Sequence, residues 1–117
     1  MGRRTYFEGT WKKDPWFQVL CGALASCKTF SEVGSLLRDV ATLSEMQAMS
    51  ERFEVARRIA AGQTYRKIAE DTGASTTTVT RVGAFLGGGT GGYRKALKVQ
   101  EHHCHSSTLR AERMAST

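Results

Sequence analysis

The side chains with the most overt reactive chemistry lie near the end of the 117-residue chain, where His102, His103, Cys104 and His105 are consecutive. Imidazole and thiolate ligate soft and borderline metals, but neighbours in a polar tail lack the i, i+4 or looped spacing that surrounds one ion, so no metal site is expected. Gly87 to Gly92 reads Gly-Gly-Gly-Thr-Gly-Gly and contains the letters of a dinucleotide-binding loop. Such a loop works after a strand and within a βαβ unit. Here a helical pattern precedes it, and a flexible hinge is expected instead. The three cysteines, Cys21, Cys27 and Cys104, are odd in number and not spaced for a metal, which argues against a disulfide framework and fits a reducing cytoplasm. No paired carboxylates and no nucleophile with an attendant base stand out, so the chain is not expected to be an enzyme and no cofactor is implied.

A different chemistry is concentrated between Thr64 and Leu86. Thr76, Thr77, Thr78 and Thr80 crowd together directly after Ser75, although threonine costs up to ~0.7 kcal/mol against alanine at a helical position. Local stability does not explain the cluster. Short side chains that carry both a hydroxyl and a methyl suit the floor of a DNA major groove, where hydroxyls reach base edges or phosphates and methyls meet thymine methyls. The alternative is a solvated polar face with no partner. Arg66 and Lys67 precede the cluster, Arg81 follows it, and Arg57, Arg58, Arg94, Lys95 and Lys98 flank it, opposed over residues 57–98 only by Glu70 and Asp71. Each is an ordinary surface charge taken alone; together they form the electrostatic footprint expected of phosphate binding.

Reading side chains need a scaffold, and the sequence supplies one. Ala69 is small where a second helix would press on a first, Gly73 falls where a tight turn needs positive φ, and Ile68, Val79 and Val82 are apolar where the pair would meet a body. Thr64 and Ser75 are suited to cap helices reaching Gly73 and Leu86. Upstream, Asp14-Pro15 predicts a helix start, followed by a stripe of Phe17, Leu20, Cys21 and Leu24. Thr29-Phe30-Ser31-Glu32 and Thr42-Leu43-Ser44-Glu45 each have the form of a capping box, opening helices at about 30–40 and from 43 to Gly62. A sixth helix is expected from Tyr93 to about His102. No run alternates with period two, so the fold is read as all-α: residues 1–13 a flexible basic arm, 14–102 one helical domain, and 103–117 a disordered tail.

The formal charge of +6, from 17 Lys and Arg against 11 Asp and Glu, implies a polyanionic partner without choosing between nucleic acid and an anionic membrane. A membrane role is disfavoured because no stretch approaches the ~20 apolar residues needed to span. Leu24-Ala25-Ser26-Cys27 matches a lipoprotein cleavage box, but Gln18 interrupts the apolar run before it and cleavage would discard a well-patterned helix. A domain of this size has a limited core, so thin helical layers would need a second copy to complete them.

At this point the chain resembles the Trp repressor family, and within it the YerC/YecD branch, over about Trp16 to Lys98. The resemblance rests on Arg52-Phe-Glu-Val-Ala-Arg57, Gly62-Gln-Thr-Tyr-Arg-Lys-Ile68, Thr72-Gly-Ala-Ser-Thr-Thr-Thr-Val-Thr-Arg-Val82, Gly91-Gly-Tyr93 and Ala96-Leu97. It implies a six-helix helix-turn-helix subunit in an intertwined homodimer that presents two reading helices to successive major grooves of double-stranded DNA. By position it implies that Arg66, Thr76, Thr77, Thr78 and Thr80 face DNA; Lys67, Ser75 and Arg81 complete the expected interface. It also implies a ligand pocket at Thr42, Arg52, Arg81, Val82 and Phe85. Val82 stands where the family has glycine against an indole, and Phe85 where it has a small hydroxyl residue, so no tryptophan corepressor is expected; Val82 and Phe85 would act as a built-in ligand. The expected function is a cytoplasmic, sequence-specific transcriptional regulator, a repressor, reading DNA with residues 64–86. The alternative is a nucleoid-type or adaptor protein with loosely specific DNA or protein binding.

Overall fold

The computed structural model describes residues 5–98. They form α1 (Pro15–Ser26), α2 (Phe30–Val40), α3 (Leu43–Ala60), α4 (Tyr65–Thr72), α5 (Thr76–Gly88) and α6, which runs over residues 92–98 to the end of the described segment. No strand occurs among the described residues, as the missing period-two pattern predicts. The chain divides into two compact units, residues 1–46 and 47–117.

In the first unit, residues 5–13 have defined local structure where a flexible arm is expected. Trp11–Lys13 form a 3-10 turn. The rings of Trp11 and Tyr6 stand edge-on to Phe17 at 5.5 and 6.3 Å, and the Tyr6 hydroxyl donates to Asp14 Oδ1 at 3.1 Å. The contacts are aromatic and irregularly spaced, which a search for periodicity does not detect. Asp14 then accepts the amides of Trp16 and Phe17 at 2.9 and 3.1 Å, with Pro15 at the first helical position, so the start of α1 is fixed by its cap. The Leu24–Cys27 tetrapeptide completes the last turn of α1, where the Cys27 amide donates to Leu24 O. Thr29 and Glu32 close a reciprocal capping box on α2. Neither α1 nor α2 buries a residue, and Trp16, Val19, Phe30 and Val40 are exposed.

Thr42 and Glu45 exchange bonds in the same way to open α3, at 2.8 and 3.0 Å. The amide and hydroxyl of Thr42 hold the Glu45 carboxyl below its usual range.

The core belongs to the second unit. Val55 and Ala56 from α3, Ile68 from α4, Ala74 from the turn, and Val79 and Val82 from α5 are buried together, with Ile59, Ala69, Tyr93 and Leu97 packed around them. The spacing from Val79 to Val82 puts one face of α5 inward and leaves the threonines outward. Among the described residues no helix is long and apolar enough to cross a membrane. The calls on residues 1–4 and 99–117, including the tail and the end of α6, lie outside the described residues.

Candidate nucleic-acid interface

Two short helices meet through three residues, and local hydrogen bonds hold the turn between them. Thr64 caps α4 by accepting the Lys67 amide at 3.2 Å. At the other end Gly73 adopts φ +80°, a left-handed geometry that a side chain would strain, and donates its amide to Ala69 O at 3.0 Å. The Thr72 hydroxyl donates to Ile68 O at 2.6 Å and accepts the Ala74 amide at 3.1 Å, bracing the turn from inside. Ser75 Oγ accepts the Thr78 amide at 3.0 Å, which starts α5. The second helix therefore leaves the turn in a fixed direction.

On the outward side of α5, Thr76, Thr77, Thr80, Arg81 and Ala84 line a shallow open depression of about 460 Å³. Thr76, Thr80 and Ala84 follow at i, i+4 and i+8, with Thr77 and Arg81 alongside, so they share one helix face. Arg81 forms no ion pair among the described residues, and its charge is available at the rim. Ala84 was not among the residues expected here; its i+4 spacing from Thr80 is the signal that would have found it.

Not all the expected site residues are equivalent. The Thr78 hydroxyl accepts a hydrogen bond from Ser75 at 2.9 Å and is half-buried, so Ser75 and Thr78 form the helix cap, set back from the open face. Arg66 and Lys67 are exposed on α4, but each is paired one turn along, Arg66 with Glu70 at 3.2 Å and Lys67 with Asp71 at 3.2 Å. Exposed pairs of this kind are weak, about 0.3–0.5 kcal/mol, and both cations can exchange a carboxylate for a phosphate.

Arg57 and Arg58 are more firmly engaged. Glu54 binds Arg57 through two bonds of 2.8 Å and Arg58 at 2.7 Å, and Arg58 reaches Asp71 at 3.6 Å. This links α3 to α4 and holds the Glu54 carboxyl at about 2, chiefly through the hydrogen bond from Arg57. Counting charges over residues 57–98 alone missed Glu54, whose i+3 and i+4 spacing from the two arginines was the available clue.

The five positions read as a ligand pocket have separate fates. Thr42 is the α3 cap, in the first unit. In the second unit Arg52 and Arg81 are exposed, Val82 is only 2% exposed inside the subunit core, and Phe85 remains 53% exposed. Among the described residues no group of three potential ligands could hold a metal ion. His102 to His105 lie outside them.

Two features had no counterpart in the sequence reading. The Tyr65 ring lies across α5 at Gly83, where an added Cβ would come 2.9 Å from Cζ and closer still to the hydroxyl oxygen. Arg94 folds back from α6 and donates to Leu86 O at 3.2 Å and Gly87 O at 2.9 Å.

A helix, a tight glycine turn and a second helix packed on the first, with an apolar inner face and a polar outer one, make a helix-turn-helix. The comparisons agree with that class and narrow it. Residues 16–101 match the family model described as Trp repressor protein, and the chain belongs to the Trp repressor family, which is one of DNA-binding regulators and not of enzymes. It is 39% identical over 90 residues to YerC of Bacillus subtilis, a protein itself uncharacterised, covering 76% of this chain and 86% of YerC. A Trp repressor-like protein from Eubacterium eligens superposes with a TM-score of 0.72 at 37% identity, covering 76% of this chain and 92% of the other. A candidate Trp repressor from Staphylococcus aureus gives 0.74 at 28% identity, covering 82% and 96%. These relatives place the chain in the YerC branch.

Proposed function

We propose that this protein is a homodimeric, sequence-specific transcriptional repressor that reads double-stranded DNA in the cytoplasm with the outer face of α5. The observation that carries the proposal is the joining of Thr76, Thr77, Thr80 and Arg81 around one open depression, on a helix whose opposite face is locked into the core by Val79 and Val82. A rigidly held helix with short donor and methyl groups at its start and a cation one turn on has the chemistry for major-groove readout with phosphate anchoring. Arg66 and Lys67 on α4 would add phosphate contacts that fix register.

The dimer is supported by the first unit. Its helices are capped but short, and no described residue within 1–46 is buried, with Phe30 86% exposed, so packing on another surface is needed to hold them. Capped amphipathic helices with uncovered apolar stripes need a partner surface. A second copy is the occupant that also gives two reading helices for a palindromic site.

The proposed repressor acts without tryptophan. Val82 fills the subunit core and holds α5 from inside, and Phe85, one turn beyond Arg81, carries an exposed aromatic ring at the position where the family resemblance implies a small hydroxyl residue beside the ligand.

Selection from randomised duplexes at moderate and high salt tests the reading. An enriched palindrome with half-sites ~10 base pairs apart is expected. Salt-sensitive binding without an enriched sequence would replace it with nucleoid-type binding, and no binding with or without L-tryptophan would remove DNA as the partner.

A further inference from the structure

Arg94 belongs to the basic residues that flank the helix-turn-helix, and its charge alone marks it as a phosphate ligand. Its geometry points elsewhere. Nη1 donates to both Leu86 O and Gly87 O, carbonyls of the last turn of α5 that have no partner within the helix. Between α5 and α6 the backbone bends at Gly89 and Gly91. The Gly89 amide donates to Phe85 O at 2.8 Å, a Cβ on Gly89 would fall 2.5 Å from that oxygen, and Nη2 of Arg94 lies 3.6 Å from where a Cβ on Gly91 would stand. The guanidinium is thus folded over the glycine-rich link and against the end of α5.

The residue that delivers this guanidinium sits in the first turn of α6, where a cation is unfavourable for its own helix dipole and favourable at the C-terminus of another. Its placement makes sense for α5 and not for α6. The helix that supports it is fastened to the core, because Tyr93 and Leu97 pack on the buried cluster and the Tyr93 ring lies 6.1 Å from that of Phe53 on α3. A path of contacts therefore runs from α3 through Tyr93 to Arg94 and the C-terminal end of α5. Ser75 and Thr72 fix the other end.

We propose that Arg94 is a positioning residue for the reading helix and not a phosphate ligand: it ties the C-terminal end of α5 to the core-anchored α6 and so sets the helix's aim. The proposal rests on the reading of α5 as the DNA-contacting helix, and its test separates the two.

Two measurements on the full-length protein with Arg94→Ala decide it. In the free protein, amide hydrogen exchange over residues 86–90 is expected to accelerate at least several-fold while the core amides of α3 and α4 are unchanged. Against the selected palindrome and a scrambled duplex, discrimination is expected to fall about tenfold, with the slope of log affinity on log salt the same as in the wild type. A slope shallower by about 0.9 with discrimination retained would make Arg94 a phosphate ligand and overturn the proposal. Unchanged exchange would overturn it as well, because the tie would not be holding the helix. If the wild type binds no DNA, the DNA reading fails on its own account and exchange still decides whether Arg94 restrains α5.

Discussion

Replacing Gly83 by alanine puts a methyl group into space that Tyr65 occupies. The added Cβ would sit 2.9 Å from Tyr65 Cζ and within contact of the phenol oxygen, and distances that short are not sustained, so the ring must leave. Gly83 lies within α5 and has no positive φ, which means alanine itself improves the helix by about 1 kcal/mol through the backbone entropy it removes from the unfolded chain. Against that stands the loss of the tyrosine's packing on α5. The ring is 44% exposed, so about half of its apolar surface is covered, and at roughly 25 cal/mol per Å² the covered part is worth about 2 kcal/mol. The two effects oppose each other. Gly83→Ala alone is expected to destabilise by about 1 kcal/mol, whereas in a Tyr65→Ala background, with no ring to displace, it should stabilise by about 1 kcal/mol. The sign reversal, a coupling of about 2 kcal/mol, is the quantity to measure by urea denaturation of the four proteins of the double-mutant cycle at one fixed concentration. If Gly83→Ala changes stability equally with and without Tyr65, the ring does not pack on α5 and the α4–α5 contact has been misread.

Three further outcomes follow from the site and the network. Thr80→Ala should shift base preference in a selection by ~1–3 kcal/mol at one half-site position if its hydroxyl or methyl reads a base; Thr78→Ala, whose hydroxyl serves the Ser75 cap, should lower stability and leave the selected sequence alone, and a changed sequence would contradict that division. Glu54 has a folded-state pKa depressed to about 2 from 4.5, so its stabilising contribution is present above about 4.5 and disappears as pH falls toward 2. Because its side chain is 36% exposed, solvent screening limits that contribution to about 1 kcal/mol. The stability gap between wild type and Glu54→Gln should therefore be seen in denaturant titrations at pH 7 and close near pH 2. Phe30→Asp places a helix-favourable acid at the first position of α2 and removes from each subunit an apolar side chain worth roughly 2 kcal/mol if a second copy covers it, about 4 kcal/mol per symmetric dimer; sedimentation should show the dimer dissociation constant raised ~1,000-fold with helicity retained, and an unchanged association constant would place the dimer surface elsewhere.

Where the governing interaction is short in sequence, the residues alone determined the outcome. Asp14, Thr29, Thr42, Thr64 and Ser75 each cap a helix through a partner two or three residues away, and all five helix starts were legible from side-chain type. Gly73 and the small Ala69 marked the turn, and the resemblance to the family supplied the assignment of the outer face. The tertiary structure decided which of the marked residues are free to act. Thr78 and Thr80 look alike in the sequence, yet Ser75 claims the first hydroxyl and leaves the second outward. Val82 suits by sequence both an inward apolar position and a pocket filler, and it is buried in the core. Arg57, Arg58 and Arg94 looked like phosphate contacts, but Glu54 and Asp71 hold the first two and the end of α5 holds the third. Nothing in the sequence paired Tyr65 with Gly83, or Phe53 with Tyr93. The reason is range: a cap is chosen by chain geometry within one turn, whereas the availability of a charge or hydroxyl depends on what folding brings beside it from a helix many residues away.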